Sequence, residues 1–206
     1  MSAIIVTGTD TGIGKTVFAA GLTAALGARY WKPVQSGLED ATDTETIRAL
    51  SGAETLPEAY RLSLPASPHL SAEDMGVEIT LDQLALPQVD GLLVVEGAGG
   101  VMVPLNREHF YLDLFAQWKA PVVLVARTAL GTINHTSLSV MALRNAGCNL
   151  VGVAFVGEAE PPVEQTIAQM CSVRHLGRLP HLPSLTPQTL SDAFEAIDTA
   201  TIRSAL

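Results

Sequence analysis

The chain has 206 residues, of which 48% are hydrophobic and 16% charged, with 17 glycines spread along it. That balance excludes a disordered chain and fits one domain over 1–206, an α/β domain whose sheet is buried on both faces. With 12 basic residues against 21 acidic and a formal charge of −9, it lacks the broad basic surface that displaces counterions from nucleic acid, which excludes nucleic acid as a partner.

The first apolar run, 3–7, leads into Gly8-Thr9-Asp10-Thr11-Gly12-Ile13-Gly14-Lys15-Thr16, and a helix-period segment follows over 16–26. Glycine between strand and helix lets the backbone curl so that N–H groups point at phosphate oxygens. Lys15 supplies a cation to the β- and γ-phosphates, and the Thr16 hydroxyl a ligand for Mg²⁺. This is a phosphate loop, slightly irregular because Thr9 stands where the strict pattern has glycine. It predicts nucleoside triphosphate binding through Gly12, Ile13, Gly14, Lys15, Thr16 and Val17.

The second apolar run, 30–32, closes on Lys32-Pro33-Val34-Gln35-Ser36-Gly37. In an open parallel sheet ligands lie beyond the carboxyl ends of the strands, so Lys32 falls at the active edge. Asp43 stands at a predicted helix start over 44–50, where an N-cap carboxylate is the plain expectation. Glu39, Asp40 and Glu45 are rival acids, and spacing does not choose among the four. The stretch 51–81, with Pro57, Pro65 and Pro68, is predicted irregular and laid over the strand ends.

The run 91–95 delivers Glu96 to the place of a Walker B acid, followed by Gly97-Ala98-Gly99-Gly100, where glycines permit close backbone approach to phosphate or substrate. A helix is predicted over 112–118. The run 121–126 leads to Leu130-Gly131-Thr132-Ile133-Asn134-His135 and a helix over 133–146, whose free N–H groups suit a substrate carboxylate, with Thr132 a candidate cap and His135 a packed or capping histidine. A strand over 150–156 and a helix over 163–170 follow, and Gly27 and Gly147 mark helix ends. Alternation of this kind predicts a mostly parallel sheet with helices on both faces. Cys148 and Cys171 have no metal or redox spacing, and the five histidines no zinc spacing. No apolar run nears the roughly 20 residues of a membrane span, and Met1 to Val6 carries no basic leader, so a cytoplasmic protein is expected.

Taken together, Gly8-Thr9-Asp10-Thr11 with Gly14-Lys15-Thr16, Lys32-Pro33-Val34 with Ser36-Gly37, Val95 to Gly100, and Leu130-Gly131 with Ile133-Asn134-His135 resemble the dethiobiotin synthetase family of P-loop proteins, in order and separation, with Pro68-His69 between the second and third. The resemblance covers most of the chain. It implies ATP and Mg²⁺, with Thr16, Asp43 and Glu96 around the metal and Lys15, Thr11 and the loop amides on the phosphates. It implies Lys32 as the active-site lysine and a lining from Glu96 through Gly97, Ala98 and Gly99. Pro180-His181-Leu182 would lie beside the nucleoside. Ser36 and Thr11 would meet 7,8-diaminononanoate, with Leu130 and Asn134 reaching its carboxylate across a homodimer interface. The implied reaction takes carbon dioxide or bicarbonate into a carbamate and closes a ureido ring.

Two positions depart from the family. Gly12 stands where many relatives carry glutamate. No asparagine lies between Leu150 and Pro161, where many relatives use one to read adenine, and relaxed nucleotide choice is the expectation. Two rival families share the fold. Partitioning and septum-positioning switch ATPases need an extra lysine early in the loop, where this chain has Asp10, and a basic membrane-binding tail, where 191–206 has only Arg203. Cobalamin-type amide synthetases continue into a glutaminase domain.

Overall fold

The computed structural model describes residues 2–206. A six-stranded parallel sheet forms the centre, from β1 (Ser2–Gly8), β2 (Arg29–Trp31), β5 (Leu92–Gly100), β6 (Val122–Arg127), β7 (Leu150–Val156) and β8 (His175–Leu179). Their order across the sheet is β2-β5-β1-β6-β7-β8. Every pairing is parallel, as near-continuous apolar strands require when both faces are covered.

Alternation along the strands builds two cores. Ile5, Leu93, Val95 and Leu124 pack with α4 (Tyr111–Trp118), α5 (Thr132–Asn145) and α6 (Pro161–Met170) through Tyr111, Phe115, Leu143 and Ile167. On the opposite face Ile4, Val6, Val94 and Val125 meet Phe18 and Leu22 of α1 (Lys15–Leu26), Ile47 of α2 (Asp43–Ser51), Phe194 of α7 (Pro187–Phe194) and Ile202 of α8 (Thr199–Ser204). This three-layer sandwich is the predicted architecture.

The stretch predicted irregular over 51–81 is more ordered than expected. It holds β4 (Tyr60–Leu62), which pairs in parallel with β3 (Val34–Ser36), and then α3 (Pro68–Asp74). Three-residue strands carry too little alternation to be read from sequence. The Ser36 strand thus gains a fixed register, with Ser36 opposite Leu62. β5 also runs past Glu96 to Gly100 instead of turning there, because Gly100 pairs with Gly8 across a register shift.

Helix ends explain two further differences. Thr42, not Asp43, caps α2: its hydroxyl accepts from the Glu45 N–H at 3.3 Å while the Glu45 carboxylate accepts from the Thr42 N–H at 2.8 Å. That frees the Asp43 carboxylate to point elsewhere. Thr132 is likewise the first helical residue of α5, with Gly131 at the cap, and His135 is exposed rather than packed. Gly27 ends α1 in the left-handed conformation as expected, and Gly147 adopts it just beyond α5. Among the described residues no helix is long and apolar enough to cross a membrane.

Candidate active site

The phosphate loop joins β1 to α1, and its glycines have separate reasons. Gly14 has φ 88°, and a Cβ there would lie 2.7 Å from Val156 Cγ1, so both the backbone and the packing demand glycine. Gly12 has φ 69° with open space around it. The glutamate of the family pattern would fit the space but not the left-handed backbone, which makes glycine the unstrained choice in this loop. Gly14 gives α1 no side-chain cap, and the first N–H groups of a twelve-residue helix remain available to an anion.

Lys15 is buried, and its ammonium donates to the Asp10 carbonyl at 3.2 Å. Burial pulls its pKa down to about 8; the Glu96 carboxylate opposes this and Lys32 reinforces it. A cation held at that cost gains strongly from an arriving phosphate.

Four side chains from distant parts of the sequence meet next to it. The Thr16 hydroxyl lies 2.8 Å from Asp43 Oδ1 and 2.9 Å from Glu96 Oε1. Lys32 Nζ lies 2.5 Å from Asp43 Oδ2 and 3.3 Å from Glu96 Oε1, and donates to the Gly97 carbonyl at 3.4 Å. Burial alone would depress Lys32, but the Glu96 and Asp43 carboxylates outweigh it and raise its pKa above the ordinary lysine value. Burial also works against the Asp43 carboxylate, and Lys32 more than offsets it, so Asp43 titrates below its usual range. The two carboxylates thus favour the protonated form of Lys32.

Of the four rival acids only Asp43 reaches this cluster among the described residues. Glu45 is committed to the α2 cap, and Glu39 and Asp40 are exposed. Asp43 is held by the cap and by Gln35, whose Oε1 accepts from the Asp43 N–H at 3.4 Å. Gln35 lies inside a segment that sequence reading had marked, yet nothing there signalled its role. Tyr30 was missed altogether: buried under the cluster, it donates from its hydroxyl to Glu96 Oε2 at 2.9 Å.

The cluster forms one wall of a cleft of about 600 Å³. Thr11, Gly12, Gly14, Lys15, Thr16 and Val17 line it together with Ser36, Ala98 and Gly99, and Pro65, Pro68 and Val103 roof it. The Ser36 hydroxyl is buried there with no hydrogen-bond partner among the described residues. A second cleft of about 350 Å³ shares Gly12, Gly14 and Val17 with the first and extends over Ile13, Arg127, Thr128, Val156, Gly157, Pro180 and His181. Leu182 instead packs, partly buried, on the core. Leu130 and Asn134 stand apart from both clefts, Leu130 fully exposed.

A phosphate loop on the first of these strands, an acid on its neighbour and a parallel sheet wrapped by helices define a P-loop nucleotide-binding protein. Solved structures agree at the level of fold: the cell division ATPase MinD of Pyrococcus furiosus superposes with a TM-score of 0.59 at 15% identity over 100% of both chains. The signal recognition particle receptor FtsY of Elizabethkingia anophelis does so with 0.53 at 16%, over 94% of this chain and 63% of that one. Among sequences, a family profile described as an AAA domain matches residues 2–189. The ATP-dependent dethiobiotin synthetase of Rhodopseudomonas palustris is 60% identical over 93% of this chain and 91% of its own length. That of Nitrobacter hamburgensis is 59% identical (93% and 92%), and that of Brucella anthropi 56% (92% and 91%). The chain belongs to the ATP-dependent dethiobiotin synthetase family.

Proposed function

We propose that this chain closes the ureido ring of dethiobiotin from 7,8-diaminononanoate, carbon dioxide and a nucleoside triphosphate, ATP in the first place. The observation that carries the reading is the convergence of Lys15, Thr16, Lys32, Asp43 and Glu96 in one cleft that Ser36 and residues 65–68 also line. Phosphate-binding groups and a buried unpaired hydroxyl in one cleft with partly apolar walls suit a diamine that must meet a γ-phosphate.

In the proposed sequence one amine nitrogen attacks carbon dioxide and loses a proton, giving a carbamate. A carbamate oxygen attacks the γ-phosphorus and ADP departs. The second amine then attacks the carbonyl carbon of the mixed anhydride, expels phosphate and gives up a proton, which the departing phosphate can take. Carbamate and γ-phosphate are both anions, so the enzyme's work is alignment and charge screening. Lys15 and the loop amides hold the phosphates, with Thr11 at the mouth of the loop. Lys32, whose ammonium is shared by Asp43, Glu96 and the Gly97 carbonyl, places its positive charge on the wall of the cleft. The unpaired Ser36 hydroxyl offers a bond to an amine, and the Ala98-Gly99 backbone borders the reacting centre.

The oxygen donors fit Mg²⁺. Thr16 carries one hydroxyl proton, yet its oxygen sits within hydrogen-bond distance of two carboxylate oxygens, an oxygen-rich arrangement that one proton cannot satisfy and a hard divalent cation can. Thr16, Asp43 and Glu96 would hold the ion, which when bound supplies positive charge to the transferring phosphoryl group.

Homodimerisation belongs to the same reading. Along α5 and the turn before it, Leu130, Ile133, Leu138 and Met141 are exposed, apolar surface that a second copy would cover. Leu130 and Asn134 would then reach the partner's diamine carboxylate. The test is ADP release with bicarbonate and Mg²⁺, with and without the diamine, in the absence of DNA and lipid, with the product identified by mass. Diamine-dependent release together with the mass of dethiobiotin is expected, and no stimulation by the diamine overturns the proposal.

A further inference from the structure

We infer that Tyr30 is a positioning residue that fixes the Glu96 carboxylate in a one-oxygen mode toward the cation site. The inference rests on the reading of Glu96 as a metal-facing acid and adds a residue on which that reading depends.

Glu96 is fully buried and its two oxygens face different neighbours. Oε1 lies 2.9 Å from the Thr16 hydroxyl and 3.3 Å from Lys32 Nζ. Oε2 accepts from the Tyr30 hydroxyl at 2.9 Å. The Tyr30 contact follows from strand register. Tyr30 stands opposite Val94 in the parallel β2–β5 pair, and Glu96, two residues on, projects from the same face. Two strand steps are about 6.6 Å, a span that a tyrosine ring and hydroxyl cover and a shorter side chain does not.

The tyrosine is itself immobile. Its ring is buried in the core with Ile47 and Leu50 of α2 and Phe18 and Leu22 of α1. Its hydroxyl meets a carboxylate oxygen that can only accept, so Tyr30 is the donor of the pair. That donor engages Oε2 and orients Oε1 toward the Thr16 hydroxyl and the cation site. Without it the carboxylate is free to rotate and offer both oxygens, to the ion or to Lys32. A partner of this kind behind a ligand typically governs affinity for the ion about 10- to 100-fold.

The experiment compares wild type, Tyr30→Phe, Glu96→Gln and the double variant by calorimetric titration of ADP at stepped Mg²⁺ concentrations, with melting curves alongside. For Tyr30→Phe we expect metal-free ADP binding unchanged and the Mg²⁺ half-saturation raised about tenfold. In the Glu96→Gln background, where no buried charge is left without a partner even if the single variant folds poorly, Tyr30→Phe should add no further shift. An unchanged Mg²⁺ midpoint in Tyr30→Phe, or an equal shift in both backgrounds, overturns the inference. An unchanged midpoint in Glu96→Gln instead overturns the metal-facing role of Glu96.

Discussion

Lys32 Nζ stands 2.5 Å from Asp43 Oδ2, so the residue that follows β2 and the first residue of α2 form one ion pair beside the phosphate loop. Asp43 is partly open to solvent while Lys32 is buried, and Glu96 shares the same ammonium. One cation is shared by two acids.

Lys32→Met should therefore do two separable things. Turnover should fall about 100-fold or more, the loss typical of one donor at a centre of developing charge. The ligand-free protein should lose on the order of 3 kcal/mol, because the two acids then lose the cation that bridges them. Melting curves should show the deficit narrowing when Mg²⁺ and nucleotide are added, since the ion then supplies the missing charge. A ligand-free melting temperature equal to wild type would mean that the pair contributes nothing to the fold.

Lys15→Met is expected to behave in the opposite way on stability. Its ammonium is held in the folded chain against a burial penalty, so an apolar replacement of similar length should melt at or above the wild-type temperature. Phosphoryl transfer should nonetheless drop by about 10²- to 10³-fold or more. ADP release and melting curves on one preparation check both halves, and near wild-type turnover would remove the phosphate loop from the reaction.

Nucleotide selection can now be framed by named groups. At the end of β7 the Gly157 N–H is spent on the Leu179 carbonyl at 3.0 Å and the Gly157 carbonyl accepts from Arg178 at 3.0 Å. The Val156 carbonyl accepts from the Thr128 N–H at 3.2 Å. The second cleft thus offers a base chiefly the side chains of Arg127, Thr128 and His181, none of them the paired donor and acceptor of an amide. Values of kcat/KM for ATP, GTP and CTP should lie within about tenfold of one another, because sites lacking a matched hydrogen-bond pair discriminate weakly. A preference for ATP above about 100-fold would assign base reading to the backbone at Pro180 and His181.

The phosphate loop, the strand that delivers Glu96 and the alternation behind the layered sheet were legible because each is carried by local pattern. Gly14-Lys15-Thr16 declares itself within three residues, and the run 92–96 is too apolar to be anything but an interior strand. What was hidden depends on pairing. Tyr30 and Glu96 meet only once β2 and β5 are in register, and no local pattern encodes that. The α2 cap was misassigned by one residue because Thr42 and Asp43 are both good caps, and only the reciprocal bond from Glu45 separates them. β8 escaped notice because it is an edge strand, with His175 exposed and Gly177 and Arg178 half-buried, so its pattern is only partly apolar.

The sheet order also bears on how the enzyme comes into being. β5 lies between β2 and β1, and it brings Glu96 to Thr16 and Lys32 across 80 and 64 positions of chain. Such non-local pairing is slow to form. On the ribosome the phosphate loop emerges before β5 and stands beside an open strand edge until that strand can be inserted. A nascent chain cut short of β5 would have the loop's glycines and lysine without their acid counterweight, and productive nucleotide chemistry should begin only after β5 has been threaded into the sheet between β2 and β1.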